Sequence, residues 1–238
     1  MHGCDVMINI GARFDDRVTG KIAAFSPNSK KIHVDIDPSS INKNVRVDCP
    51  VVGDAEETLA LMLKMWRDKK FQPHPAVKQW WAQIETWRKR ESLKYKTSNE
   101  VIKPQYALER LQALTARHKH TIITTEVGQH QMWAAQYLRF DAPHRWLTSG
   151  GLGTMGYGFP AAIGAQMAHP DALVIDVAGE ASIQMNIQEL GTAMQYRLPV
   201  KIFIINNQWM GMVRQWQELI HGARYSQSYS ESLPDFVK

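Results

Sequence analysis

Two polar residues, Glu180 and Asn207, follow apolar segments that the sequence predicts to be strands. The segments cover residues 172–177 and 200–205, are short and carry many β-branched side chains, which favours strands over helices. A helical pattern lies between them, so the stretch is predicted to form a β-α-β unit with two parallel strands buried on both faces. Because ligands of such sheets bind beyond the carboxyl ends of the strands, Glu180 and Asn207 are expected side by side at one edge.

A carboxylate and an amide oxygen at one point suit Mg²⁺, which takes its remaining ligands from phosphate oxygens and water. The helix that begins near Ser182 directs its amino end to the same place, which favours a phosphate group. A β-α-β unit of this kind is by itself more often structural, since it recurs in proteins of unrelated function. The pattern predicts the apolar face of this helix at four positions, Ile183, Ile187, Leu190 and Met194.

Two further segments of this half of the chain are expected at the same edge. Residues 126–130 follow a predicted strand at 121–125, which places Gln129 and His130 where they can bond phosphate oxygens. Residues 149–158 contain five glycines in ten positions, which lets the backbone approach a ligand closely. Met155 in this segment is an adaptable apolar side chain that can conform to a ring. The alternatives are a helix-start histidine and a flexible loop.

The first part of the chain alternates strands and helices in the same way. Strands are predicted at 6–10, at 31–36 and within 45–52, and helices at 18–24 and from Asp54, a good cap, to about residue 66. Acidic residues at strand ends, such as Asp35, commonly bond ribose hydroxyls. A dinucleotide site and a plain α/β fragment are equally compatible with this pattern, and the absence of Gly-x-Gly-x-x-Gly disfavours a standard nicotinamide site.

Composition limits the class of protein. The 238 residues are 44% hydrophobic, enough for a sizeable core, and the net charge is a modest +5, from 28 Lys+Arg against 23 Asp+Glu. The basic excess between residues 64 and 96 has no nucleic-acid reader motif beside it, so nucleic acid is not an expected partner. No apolar run approaches the length that crosses a bilayer, so a membrane is not an expected partner either. The two cysteines lack metal-ligand spacing and suit a reducing cytoplasm. We expect the chain to begin inside one domain and to end inside another.

The charged, proline-broken segment after residue 66 reads as a connector. A helix predicted from 76 to about 95 carries Trp80, Trp81 and Trp87, which are expected to pack between domains. The next domain begins near Pro104, in a helix with an apolar face at Tyr106, Leu108, Leu111 and Leu114. The expected boundaries are therefore 1–66, 67–103 and 104–238.

The spacing Gly179-Glu180-Ala181, then residues 182–205, then Asn206-Asn207 resembles the diphosphate-binding signature of thiamine-diphosphate enzymes. Glu180 stands where aspartate is usual, and Ala181 where glycine is usual. Four more segments closely resemble the catalytic subunit of the acetohydroxyacid synthase (acetolactate synthase) family. They are GARFDDRVTG at 11–20, GQHQMW at 128–133, TSGGLGTMGYG at 148–158 and MGMVRQW at 210–216.

The resemblance implies an α/β fold of parallel-sheet, three-layer domains. Residues 1–66 would be the end of the FAD-binding middle domain, and residues 104–238 most of the domain that binds thiamine diphosphate. It also assigns ligand roles. Magnesium would be held by Glu180, Asn207 and the carbonyl of Trp209. Thiamine diphosphate would contact Gln129, His130, Gly153, Met155, Ala181 and Ser182. FAD would contact Gly11, Ala12, Arg13, Phe14, Asp15, Asp35, Ile36, Asp54 and Ala55. Arg17 and Trp216 would border the substrate channel, and the catalytic residues would be Met155, which would prop the bent form of the cofactor, with Trp216 and Arg17.

The implied reaction is decarboxylation of pyruvate on thiamine diphosphate and transfer of the hydroxyethyl group to a second 2-ketoacid, in branched-chain amino acid biosynthesis. The implied assembly is a homodimer or tetramer of full-length subunits, with a possible small regulatory subunit. Because the family's catalytic glutamate comes from a first domain that this sequence lacks, the 238 residues alone are expected to be inactive. Two alternatives remain open: another thiamine-diphosphate enzyme, such as a pyruvate oxidase or a 2-ketoacid decarboxylase, and a non-catalytic cofactor-binding fragment.

Overall fold

The structure is a computed structural model that describes residues 1–237. The chain divides into two compact units, residues 1–90 and residues 91–238. Each unit is built on its own parallel sheet, with strand order β1-β2-β3 in the first and β5-β4-β6-β7 in the second. The strands are β1 (Val6–Ile10), β2 (Lys30–Asp35), β3 (Cys49–Val52), β4 (Thr121–Thr125), β5 (Trp146–Thr148), β6 (Leu173–Gly179) and β7 (Lys201–Ile205).

The helices alternate with the strands along the chain. In the first unit they are α1 (Asp16–Thr19), α2 (Ala55–Asp68) and α3 (Ala76–Arg88), with 3₁₀ turns at Ile22–Ala24 and Pro38–Ser40. In the second unit they are α4 (Pro104–Thr115), α5 (Gln129–Tyr137), α6 (Gly158–Ala168), α7 (Glu180–Ile183), α8 (Leu190–Gln195) and α9 (Gly211–Leu219), with a 3₁₀ segment at Gln184–Glu189. None of the helices among the described residues is both long and apolar enough to cross a bilayer.

The second sheet carries packed helices on both faces. On one face, Ile123 and Ile175 pack against Leu108 of α4 and Ala134 of α5. On the other face, Ile122 and Val174 pack against Ala162 of α6. Alternate residues of β4 and β6 thus point into two apolar layers, as expected of strands buried on both sides. The predicted α/β class with three-layer, parallel-sheet architecture is confirmed.

The strand β7 differs from this expectation. It is the edge strand of the sheet among the described residues, and its side chains are only partly buried, whereas β6 is almost wholly buried. The prediction that both strands are buried on both faces is correct for β6. Side chains of β7 also pack on two core clusters, Phe203 and Ile205 on one and Ile202 and Ile204 on the other, but they stay partly exposed at the edge of the sheet.

The single helix predicted after β6 is also wrong. The backbone breaks at Asn186 (φ −135°), which lies inside the 3₁₀ segment between α7 and α8. Ile183 is buried, but Leu190 is 43% and Met194 is 77% exposed, so the four predicted positions do not form one buried face. The side chain of Asn186 donates to the carbonyl of Gly156 from this break.

Two predicted helix ends and one predicted apolar face differ from the structure. The helix predicted at 18–24 is α1 followed by a 3₁₀ turn, since Gly20 ends α1 with a positive φ of 55°. The helix predicted from 76 to about 95 ends at Arg88. In α4, Leu108 and Leu111 are buried as predicted, but Tyr106 and Leu114 are exposed. The cap of α2 is confirmed, because Asp54 accepts hydrogen bonds from the backbone N–H groups of Glu56 and Glu57.

Candidate cofactor site

The carboxyl edge of the second sheet contains a cavity of about 220 Å³. Four segments line it: the loop after β4 with the start of α5, the glycine-rich segment, the junction of β6 with α7, and the stretch from the end of β7 into α9. All ten residues predicted for thiamine diphosphate, magnesium and the substrate channel in this unit lie on its wall. They are Gln129, His130, Gly153, Met155, Glu180, Ala181, Ser182, Asn207, Trp209 and Trp216.

Sheet register explains why Glu180 lies beside Asn207. Gly179 at the end of β6 pairs with Ile205 at the end of β7, so the chain leaves both strands at the same level. Glu180 is only 2% exposed. Burial raises the pKa of its carboxyl group, and the backbone N–H groups of Asn207 and Trp209 oppose that shift.

One oxygen of this carboxylate has no partner. Oε1 of Glu180 is buried and makes no hydrogen bond among the described residues. A buried carboxylate oxygen in that state is costly unless a cation or a proton satisfies it. The described residues contain no group of three or more His, Cys, Asp and Glu side chains that could hold a metal. One carboxylate beside an amide and a backbone carbonyl suits Mg²⁺, which completes its shell with phosphate and water.

His130 is the second polar group at this edge with an unsatisfied atom. Its ring is 7% exposed, and burial lowers the pKa of His130 to about 4, while a hydrogen bond to the Glu126 carbonyl opposes the shift. The imidazole is therefore neutral at pH 7, with Nε2 buried and unpartnered among the described residues. A Cβ on Gly179 would lie 2.7 Å from Nδ1 of this ring, so the glycine is required for the imidazole to pack against the strand end.

The remaining polar side chains of the wall differ in how many of their hydrogen bonds are made within the protein. Ser182 accepts the N–H of Gly179 and donates to its carbonyl, so its hydroxyl closes the turn and only its backbone faces a ligand. Gln129 donates to Oε1 of Gln215 at 3.0 Å. Asn207 accepts the N–H of Trp209 at 3.1 Å, and its amide oxygen keeps a second lone pair.

The rest of the wall is apolar. Met155 lies between Gly153 and Gly156, both of which have positive φ. Trp216 belongs to the second half of α9 and remains 44% exposed. We call the wall residues Gln129, His130, Glu180 and Asn207 the polar end of the cavity, and Met155, Met212 and Trp216 its apolar end. A cavity that offers both kinds of wall suits a ligand that joins a diphosphate to a flat ring.

The carboxyl edge of the first sheet also has a cavity beside it. Gly11, Ala12, Arg13, Phe14 and Asp15 line a cavity of about 400 Å³. Parallel pairing of β1, β2 and β3 brings their carboxyl ends to one edge, so Asp35, Ile36, Asp54 and Ala55 lie at neighbouring strand ends but not on that cavity wall.

The acidic residues of this edge mostly bind their own backbone. Asp35 accepts the N–H of Asp37, and Asp54 caps α2. Ile36 is 71% exposed and Ala55 begins α2. Phe14 is buried against the ring of His33. Oδ1 of Asp15 is the exception, since it is buried and has no partner among the described residues. Arg17 is exposed on α1.

Comparison with known proteins identifies both units. Residues 126–238 match the thiamine pyrophosphate enzyme, C-terminal TPP binding domain, and residues 1–62 match the thiamine pyrophosphate enzyme, central domain. The chain belongs to the thiamine pyrophosphate enzymes. It is 52% identical over 239 residues to an acetolactate synthase isozyme 3 large subunit from Escherichia coli, and 47% and 50% identical to acetolactate synthase large subunits from Haemophilus influenzae and Pyropia yezoensis.

These matches cover 99 to 100% of this chain but only 39 to 41% of each relative. The chain therefore spans about two fifths of the length of the curated relatives. The orphaned oxygen of Glu180 and the mixed polar and apolar wall fit magnesium and thiamine diphosphate, the cofactors of this family.

Two buried carboxylates of the second unit were not among the predicted site residues. Glu126, directly after β4, is 0% exposed and accepts the N–H groups of Gly156 at 2.6 Å and Phe159 at 3.0 Å. Asp176, inside β6, is also 0% exposed. Burial, and then the charge of Glu126, raise the pKa of Asp176 to about 8, and a hydrogen bond from Thr124 opposes them. In the sequence, the signal for Asp176 is a single aspartate within the otherwise apolar run 173–178.

A second group that the sequence did not reveal lies around Trp209. The guanidinium of Arg214 lies 4.1 Å from the centre of the Trp209 ring and forms a 2.8 Å ion pair with Glu218. Tyr225 and Tyr229 contact the same indole. These contacts fix Trp209, whose backbone carbonyl is a predicted magnesium ligand.

Proposed function

We propose that this chain forms the cofactor-binding parts of an acetolactate synthase large subunit. The observation that carries the proposal is the single cavity that gathers all ten predicted residues of the second unit, with an unpartnered carboxylate oxygen of Glu180 at its polar end. The named relatives, about half identical over nearly the whole chain, support the choice of acetolactate synthase.

In this proposal the polar end of the cavity holds magnesium and diphosphate. Glu180, Asn207 and the carbonyl of Trp209 bind Mg²⁺, while Gln129 and His130 face the phosphate oxygens. Ala181 and Ser182 contribute backbone N–H groups, because the Ser182 hydroxyl is used by its own turn. His130 is neutral at pH 7, so its contribution is hydrogen bonding rather than charge.

The apolar end receives the rings of the cofactor. Gly153 and Met155 contact the pyrimidine, and thiamine diphosphate, when bound, supplies the carbon nucleophile and electron sink that decarboxylation of a 2-ketoacid requires. Met212, Val213 and Trp216 form the opposite wall and exclude water from the reacting carbons. Trp216, partly exposed, contacts the second ketoacid and selects its size.

The first unit supplies part of a flavin site. Gly11, Ala12, Arg13, Phe14 and Asp15 would contact FAD along the cavity after β1, and Asp35, Ile36, Asp54 and Ala55 along the ends of β2 and β3. The unpartnered oxygen of Asp15 supports a polar ligand there. Arg17 borders the substrate channel. The domain limits remain 1–66, 67–103 and 104–238.

The assembly and location follow from the same proposal. The substrates are pyruvate and a second 2-ketoacid, and the full-length subunits form a homodimer or tetramer that a small regulatory subunit can join. The two free cysteines suit the cytoplasm as the site of the enzyme.

A hybrid enzyme tests the function. The homologous 239 residues of the E. coli isozyme 3 large subunit are replaced by this chain, and acetolactate is measured after addition of pyruvate, thiamine diphosphate, Mg²⁺ and FAD. Acetolactate from the hybrid, and its loss in the hybrid with Glu180→Gln, support the proposal. Acetaldehyde or acetyl phosphate as the product would indicate a decarboxylase or an oxidase instead.

Calorimetry on the 238-residue chain tests the site independently of turnover. We expect thiamine diphosphate to bind only with Mg²⁺ present, and the chain alone to form no acetolactate. Failure to bind thiamine diphosphate at any Mg²⁺ concentration contradicts the assignment of the cavity.

A further inference from the structure

Gly156 is held at both of its backbone polar groups by side chains from different elements. Its N–H donates to the carboxylate of Glu126 at 2.6 Å, and its carbonyl accepts from Nδ2 of Asn186 at 2.5 Å. Glu126 follows β4, whereas Asn186 lies in the break between α7 and α8. We call these three residues the Gly156 clamp.

Burial, a second hydrogen bond and the backbone conformation of Gly156 hold the clamp in place. Glu126 is fully buried, and its other oxygen accepts the N–H of Phe159, which ties the carboxylate to the start of α6 as well. Gly156 has φ of +83°, a region that favours glycine. A Cβ at this position would lie 2.8 Å from Nδ2 of Asn186, so the side chain of Asn186 can reach the carbonyl only because residue 156 has none.

The clamp connects the two ends of the cofactor cavity. Met155, on the apolar wall, immediately precedes Gly156, and Glu180, at the polar end, begins the segment that carries Asn186 six residues later. The break places the side chain of Asn186, because an uninterrupted helix would carry it in another direction.

We propose that Glu126 and Asn186 are positioning residues that hold Gly156, and through it Met155, at the height required by the ring portion of thiamine diphosphate. This inference rests on the proposed function of the cavity. Neither residue lines the cavity, and both act through the backbone of the glycine-rich segment.

Ligands that carry one or both portions of the cofactor distinguish a positioning role of the clamp from a general structural role. Inorganic pyrophosphate with Mg²⁺ needs only the polar end, whereas thiamine diphosphate needs both ends. We expect Asn186→Ala in the 238-residue chain to weaken thiamine diphosphate about tenfold, the effect of losing one buried hydrogen bond, and to leave pyrophosphate affinity within about twofold. Leu152→Ala is the matched control, since Leu152 lies in the same segment, is 95% exposed and makes no clamp contact.

A double-mutant cycle tests whether the effect passes through Met155. If the clamp acts by placing this side chain, Asn186→Ala should cost little further affinity in a Met155→Ala background. Glu126→Gln supplies a second measurement, because its amide has a single oxygen and can accept only one of the two N–H groups that the carboxylate accepts. It should show the same loss of thiamine diphosphate with pyrophosphate retained.

The outcomes are distinguishable from failure of the proposed function. If the unmodified chain binds neither ligand, the cavity is not a thiamine diphosphate site and the clamp proposal falls with it. If the unmodified chain binds both, but Asn186→Ala weakens both equally or its effect adds fully to that of Met155→Ala, the clamp alone is overturned.

Discussion

The carboxyl edges of the two sheets use their acidic side chains differently. In the first unit, Asp35, Asp37 and Asp54 each accept a backbone N–H from the turn or helix that follows their strand. In the second unit, Glu180 is buried and keeps one oxygen without a partner among the described residues. The first edge is thus stabilised largely by its own loops, whereas the second is organised for a cation that the protein does not itself supply.

The largest expected effect concerns Glu180. Glu180→Gln removes the only carboxylate predicted to bind the metal, and we expect Mg²⁺-dependent affinity for thiamine diphosphate to fall on the order of 100-fold or more. Calorimetry with and without Mg²⁺ measures it. Glu231→Gln, at an exposed glutamate outside the cavity, is the control. Unchanged affinity would mean that Glu180 does not bind the cation and that the second edge is not organised for one.

The next effect concerns the buried carboxylates of the second unit. The pKa of Asp176 is about 8 in the folded chain, against an ordinary value of 3.8. The folded state therefore binds its proton more tightly, and stability is lost as the pH rises from about 4 to 8. Asp176→Asn does not titrate and should be more stable than the original by on the order of 2 kcal/mol at pH 8, with little difference near pH 4.

Urea unfolding followed by circular dichroism at pH 4, 6 and 8 measures this difference. Asp171 is an exposed aspartate just before β6, and Asp171→Asn serves as the comparison variant. A stability difference that does not grow with pH would show that Asp176 is not protonated in the folded chain.

A smaller effect tests how closely α9 approaches Gln129. A Cβ on Gly211 would collide with the side-chain oxygen of Gln129, so Gly211→Ala should displace that side chain and weaken thiamine diphosphate several-fold, by about 1 kcal/mol. Gly191→Ala is the matched control, because nothing lies within 4 Å of its Cβ position. Equal affinities of the two variants would count against a role for Gln129.

The smallest effect belongs to the first edge. Asp54→Ala removes the cap of α2 and should lower the free energy of unfolding of the first unit by roughly 0.5 kcal/mol, the low end of the range for an exposed cap, while Asp54→Ser should retain most of it. Urea unfolding of the two variants compares them. If Asp54→Ser were as unstable as Asp54→Ala, the carboxylate would have a role beyond capping.

Much of the second site could be predicted from local sequence. The strands β4 and β6 are short apolar runs whose ends carry Gln129, His130 and Glu180, and parallel strands bring such ends to one edge. Most of the strands therefore lie within a residue or two of their expected limits. The three-residue β5 was missed, because so short a strand has no periodicity to detect.

The failures share a different cause. The break at Asn186 cannot be read from helical periodicity, and its side chain there bonds the carbonyl of Gly156, thirty residues earlier in the chain. The exposure of Leu190 and Met194 follows from that break. Likewise, Asp176 appears in the sequence as one polar residue in a strand, and only its position beside Thr124 and Glu126 makes it a buried acid with a raised pKa.

The amino-acid sequence by itself determined the strands, the residue types at their carboxyl ends and the spacing between them, because these depend on local propensity and on the two-residue repeat of a strand. Tertiary structure decided which of those polar atoms would be satisfied. Glu180 is buried and keeps one oxygen without a partner among the described residues, whereas Asp54 is exposed and caps α2. This difference depends on the neighbours that packing brings to each carboxylate.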